Sequence, residues 1–260
     1  LKYQYRNVDL GDYDGLRKVA LTSGAEAIVH CGAMTDVDAC EKRPLDAWRI
    51  NFESTAILAE VASLRQARFL YVSTESVFSG EDGPNREADV PDPINIYSRS
   101  KLAGEFVVKD LCRTNYVIAR IGAVYGGRVG GKSTFADKVV DSLKHEEAVH
   151  AFLDQRCSPT LASACGDRLM AILESEWVGP IHASDQGAYT RLEFARMIAE
   201  VYGFDKGLIK PTFMHEVFLA ALRPRNGGLN TGVCHDYFKD NRPLALEEAV
   251  RCYRQEKEKA

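Results

Sequence analysis

Tyr97 and Lys101 stand four residues apart in INIYSRSKLAGE, residues 94–105. On a helix that spacing puts both polar heads on one face, within reach of one ligand. A phenol with an ordinary pKa of about 10 is a poor acid at neutral pH, and a neighbouring ammonium stabilises its phenolate and draws the value toward the working range. The pair therefore suits protonation of a carbonyl oxygen while hydride arrives at its carbon. The spacing alone is equally that of a Tyr and a Lys on any surface helix, so its meaning depends on its surroundings. Here it follows RFLYVST, an apolar run ending in Ser73 and Thr74, across an acidic, Pro-containing loop.

The elements that must position the pair read as α/β. Short apolar runs alternate with longer segments of helical period, which predicts a Rossmann-like, doubly wound parallel sheet. The predicted strands are AEAIVHCGA (25–33), RFLYVST (68–74) and YVIARIGAVYG (116–126). Between the first two, residues 44–66 place Trp48, Phe52, Thr55, Leu58, Ala59 and Ala62 near one face of a single helix that starts at Pro44. Further helices are predicted over 97–111 and 133–144. Beyond about residue 150 the rhythm loosens into loops around shorter helices, so residues 1–150 read as the sheet domain and 151–260 mainly as a smaller lobe. Thr190 and Glu193 form a capping-box pattern for RLEFARMIAEVY, which Gly203 closes, and YRQEKEKA reads as a solvated helix end.

Composition narrows the partners. The chain has 260 residues, 45% of them hydrophobic, enough for a substantial core. Its net charge is −4, with Lys and Arg spread along the chain, which recommends neither nucleic acid nor an anionic membrane as partner. No apolar run approaches the ~18 residues of a membrane span, and LKYQYRNVDL lacks a signal peptide's apolar core. Seven cysteines, odd in number and without C-x-x-C, predict a reducing cytosol. His145 and His150 lack the spacing of a zinc-binding H-E-x-x-H, and Cys157 has no histidine beside it to make it a nucleophile. GGRVGGKS (126–133) fits the phosphate-binding pattern G-x-x-x-x-G-K-S between a strand and a helix, but no apolar strand ending in a magnesium-binding Asp accompanies it.

Several segments together resemble the extended short-chain dehydrogenase/reductases, and within them the dTDP-4-dehydrorhamnose reductase group. They are VHCGAMTDVDACEKRPLDAWRIN, YVSTESVFSG, DPINIYSRSKLAGE, DQRCSPT and RPRNGGLNT, in the group's order, and the resemblance runs from about residue 8 to the C-terminus. It implies an NADP- or NAD-dependent reductase of a nucleotide-linked 4-keto-6-deoxy sugar, cytoplasmic, as a homodimer or with a partner subunit. Carried over, Tyr97 would protonate the keto oxygen, Lys101 would hold the ribose hydroxyls and tune Tyr97, Thr74 would bond the substrate carbonyl, and Asn51 would support the proton relay. Asp9, Cys31, Gly32 and Ala33 would face the cofactor. Thr35, Glu75, Ala123, Gln155, Arg223 and Asn226 would face the nucleotide-sugar, with Arg223 suited to its diphosphate.

The departures from that group's pattern are as informative. Ala123 stands where the rhamnose reductases carry a Trp, Glu75 replaces Asp, Ser76 replaces Tyr and Asn230 replaces Asp, so the resemblance implies the sugar-nucleotide class without that particular sugar. The β subunit of methionine adenosyltransferase also lacks the Trp and keeps RPRN, so a regulatory subunit that binds NADP without turnover is the second reading, and a P-loop hydrolase using Lys132 the third. No G-x-G-x-x-G or G-x-x-G-x-x-G occurs in the chain. Since that loop lies on the fold's first strand and helix, it is expected upstream of Leu1 in a longer chain, the alternative being a lost cofactor site.

Overall fold

A computed structural model describes residues 5–127 and 133–259. Four parallel strands form its main sheet, in the spatial order β1 (Ala27–His30), β2 (Arg68–Thr74), β3 (Tyr116–Ile121) and β4 (Gly179–His182). Parallel neighbours need crossovers, and the helices that supply them cover both faces. Along β2 the side chains alternate: Phe69 and Tyr71 join Leu16, Ala59 and Val108 under the helices Tyr13–Thr22, Ser54–Arg65 and Ile96–Cys112. Leu70 faces the other way, into a core with Val117, Ile172, Ile181 and Cys234 under Ala162–Glu174 and Gly232–Tyr237. The α/β class is as the sequence predicts.

Differences from the predicted elements have local causes. The single helix expected over 44–66 is broken into Pro44–Trp48, a π turn over Arg49–Glu53 and Ser54–Arg65. The extra residue of that turn aims Asn51 inward, a placement typical of π insertions at functional sites. The third predicted strand stops at Ile121 and resumes only as Val124–Tyr125. β4, GPIH, escapes prediction because it is short and contains both Gly and Pro; Pro180 is tolerated because the strand has no described neighbour beyond β3.

A division near residue 150 does not follow the packing. The helix Phe135–Lys144 packs with Arg191–Tyr202 and Leu246–Lys259 around Val139, Phe194, Ile198, Val250 and Tyr253, while β4 returns to the main sheet. Capping boxes start two of those helices, at Thr134 with Asp137 and at Thr190 with Glu193, and Gly203 closes the second with a φ of 75°. The helix Leu246–Lys259 runs through most of the segment expected to be a solvated end. Residues 128–132 of the phosphate-loop pattern, Lys132 included, lie outside the described residues. Among the described residues no helix is long and apolar enough to cross a membrane.

Candidate active site

The pair that opened the sequence reading lies at the carboxyl edge of this sheet. β2 ends at Thr74, whose hydroxyl caps the following 3-10 turn by accepting from the Ser76 backbone N–H at 3.1 Å. The next long helix, Ile96–Cys112, begins at Asn95, which accepts from the Ser98 N–H (2.9 Å) and donates to the Leu222 carbonyl (2.9 Å). With its start fixed on both sides, the helix presents Tyr97 beside Thr74 at one pocket. One turn on, Lys101 is buried, its Nζ donating to the Val72 carbonyl at 2.7 Å and lying 4.0 Å above the Tyr71 ring.

These side chains share one pocket of about 620 Å³ with Cys31, Ala33, Thr35, Glu75 and Ala123, within the size range of small-molecule sites. Burial dominates its electrostatics. It pushes the Tyr97 phenol up to about 12, against the lowering effect of the nearby Thr74 hydroxyl, with Cys40 and Glu75 adding to the rise. Burial also brings the Lys101 ammonium down to about 7, opposed by the Glu105 carboxylate. The Lys101 ammonium is turned toward β2, onto the Val72 carbonyl. Glu75 is pushed up to about 8 by burial, against the opposing Ser158 N–H, which donates to Oε2 at 2.8 Å, and the Arg191 charge. Its carboxyl is therefore mostly protonated at neutral pH.

Beneath Lys101 lies a buried cluster that no spacing in the sequence announces. Glu105 accepts two bonds from Arg120, at 3.0 and 2.8 Å, and a third from the Ser73 hydroxyl. Bidentate pairing of this kind satisfies a buried charge that would otherwise be costly.

Asn51 is fully buried and does not line the pocket. Its Oδ1 accepts from the Met34 N–H (2.8 Å), and its Nδ2 donates to the Met34 carbonyl (3.1 Å) and the Ser100 hydroxyl (2.9 Å), which itself donates to the Tyr97 carbonyl (2.7 Å). Both amide protons and the carbonyl oxygen of its side chain thereby have partners within the protein, so it ties the loop after β1 to the helix of Tyr97.

The remaining expected residues lie elsewhere. Asp9 is exposed in a separate recess with Asp12, Asp46 and Arg49, and Gly32 packs on Leu10. Gln155 is half-buried beside the site, its carbonyl accepting from the Arg191 N–H at 3.2 Å. Arg223, expected to face a diphosphate, is tied to Asp38 at 2.8 Å and to the Ala221 carbonyl at 3.0 Å. Asn226 donates its N–H to the Gly80 carbonyl, while its buried Oδ1 has no partner among the described residues. In place of these, Arg191 lines the pocket, with Cys165 and Leu169 of the Ala162–Glu174 helix. The capping box marks where the helix of Arg191 begins, but no pattern in the sequence brings it beside Glu75.

A parallel sheet with a Tyr/Lys helix at its carboxyl edge and a second core beside it defines the short-chain dehydrogenase/reductase class of fold. Within that class, the chain belongs to the family described as RmlD substrate binding domain, whose family model matches residues 2–256. It is 34% identical to a probable low-salt glycan biosynthesis reductase, Agl14, of Haloferax volcanii, over 86% of this chain and 75% of that one. It is 31% identical to a dTDP-4-keto-6-deoxy-D-glucose reductase of Streptomyces niveus, covering 84% and 75% of the two chains. Methionine adenosyltransferase 2 subunit beta of Bos taurus is 29% identical, with coverages of 87% and 69%. Among solved structures, a dTDP-4-dehydrorhamnose reductase from Bacillus anthracis in complex with NADP superposes with a TM-score of 0.87 at 27% identity, over 96% of this chain and 87% of that one.

Proposed function

We propose that this chain is an NAD(P)H-dependent reductase of a nucleotide-linked 4-keto-6-deoxy sugar. The observation that carries the reading is the Tyr97 phenol beside Thr74 in a pocket that Lys101 also lines. The donor set fits the nicotinamide-ribose end of the cofactor: an ammonium and a phenol one helical turn apart, beside the small residues Cys31 and Ala33. When bound, the nicotinamide supplies the hydride.

The protein's own residues manage the proton. A phenol held near 12 is fully protonated at neutral pH and is a donor to the oxygen of the keto group. Thr74, in the same pocket, is a second hydrogen-bond donor to the developing alkoxide. Lys101 is poised to supply positive charge beside Tyr97 as the phenolate forms, and the Glu105 carboxylate favours its charged state. Asn51 acts by holding the loop after β1 and the helix of Tyr97 in register. The test is isotopic: with deuteride-labelled NADPH and dTDP-4-keto-6-deoxyglucose, the reduced sugar should carry deuterium at the former carbonyl carbon, and an unlabelled or unreduced sugar would refute the reading.

A regulatory, non-catalytic role is the second reading, supported by the relative named as a methionine adenosyltransferase subunit and by Ala123 at the pocket wall. In that case the sugar would remain unreduced while NADPH still bound.

A further inference from the structure

We propose that Arg191 is the anion-binding residue of this pocket and holds the diphosphate that links sugar to nucleoside in the substrate. The inference deepens the reductase reading and rests on it. Its first support is the state of the neighbouring guanidinium groups. Arg223, which the sequence resemblance favours for this task, is paired with Asp38 at 2.8 Å and does not line the pocket. Arg156 is bonded to the Ala188 carbonyl and to Glu193. Arg191 lines the pocket, and among the described residues no carboxylate lies within ion-pairing distance of its guanidinium.

The second support is the pocket's charge. Glu75 is the one carboxylate lining it among the described residues, and its carboxyl is mostly protonated at neutral pH. Among the described residues, Lys101 and Arg191 are the two basic side chains there. A pocket with cationic groups and no fixed anion selects an anionic ligand, and a guanidinium matches two phosphate oxygens with parallel hydrogen bonds. The third support is orientation: the Arg191 guanidinium lies 5.2 Å from the centre of the Phe135 ring. Stacking of this kind restrains the planar group before a ligand arrives, so less freedom is lost on binding.

Calorimetric titration of the full chain tests this without requiring turnover. The probes are dTDP and UDP, with thymidine and uridine as their phosphate-free counterparts and NADPH as a control for the cofactor. Arg191→Ala should weaken dTDP or UDP binding about 10- to 100-fold, Arg191→Lys should recover part of that loss, and nucleoside and NADPH affinities should stay unchanged. Arg191→Ala that binds the nucleoside diphosphates as tightly as the unaltered chain would overturn the inference and leave the reductase reading standing. A loss confined to NADPH would assign the residue to the cofactor and overturn it too, and an equal loss for thymidine or uridine would reduce its role to shaping the lobe. If the unaltered chain binds neither nucleoside diphosphate, the nucleotide-sugar reading falls and takes the inference with it.

Discussion

Replacing Glu75 by Gln should change how stability depends on pH. The buried carboxyl of Glu75 is held at about 8 in the fold, against 4.5 for an ordinary glutamate. Between those values the folded protein keeps a proton that the unfolded chain has released, so stability is highest below 4.5, falls as pH rises and levels off above 8. At about 1.4 kcal/mol per pH unit, the loss accumulated between pH 4.5 and pH 7 is about 3 kcal/mol. Glutamine keeps the shape, carries no charge, and its carbonyl oxygen can accept the Ser158 N–H that now meets Oε2 at 2.8 Å. The variant should therefore be no more stable than the parent at acid pH and about 3 kcal/mol more stable, relative to that baseline, at pH 7. Urea unfolding of both proteins across this range, with equal m-values, measures the difference directly. A stability difference that stays constant from acid to neutral pH would refute the claim that Glu75 is held protonated by burial.

Three further substitutions probe the frame around the pair. Gly122→Ala would press a new Cβ against the Ser158 carbonyl and the Glu75 carboxylate, and should cost about 1–3 kcal/mol in thermal or urea unfolding while lowering turnover. Arg120→Leu leaves the buried Glu105 carboxylate with only the Ser73 hydroxyl and the nearby Lys101, and should cost about 3–5 kcal/mol, again by urea unfolding. Asn51→Leu strips partners from both polar groups of Met34 and from Ser100; it should cost at least about 2 kcal/mol and reduce kcat more than it changes NADPH affinity.

The α/β class and the first three strands of the sheet were legible because apolar runs rich in β-branched and aromatic residues, such as RFLYVST and YVIARI, mark strands buried between layers. A helix start was legible at Thr190 with Glu193, where a full capping box marks it, whereas the helices that Asp12 and Asp36 cap were not. β4 was not, since four residues containing Gly and Pro take their strand conformation from pairing with β3. Of the site, the Tyr97/Lys101 pair was visible because its geometry is set within one helix. Arg191 and the Ser158 N–H reach Glu75 from segments more than eighty residues away, and that proximity is fixed by packing between the two cores. Arg223 shows the complementary case: its motif is legible, but its pairing with Asp38 is set by packing and is not.

The central claim is that Tyr97 gives the proton while hydride reaches the sugar carbonyl. Single-turnover oxidation of NADPH by dTDP-4-keto-6-deoxyglucose, compared between the unaltered chain and Tyr97→Phe, tests it most directly. The account predicts oxidation by the unaltered chain and a rate about 10²- to 10⁴-fold lower in the variant, with NADPH binding preserved. A Tyr97→Phe variant that oxidises NADPH as fast as its parent, or a parent that binds NADPH and never oxidises it with this sugar, would contradict it.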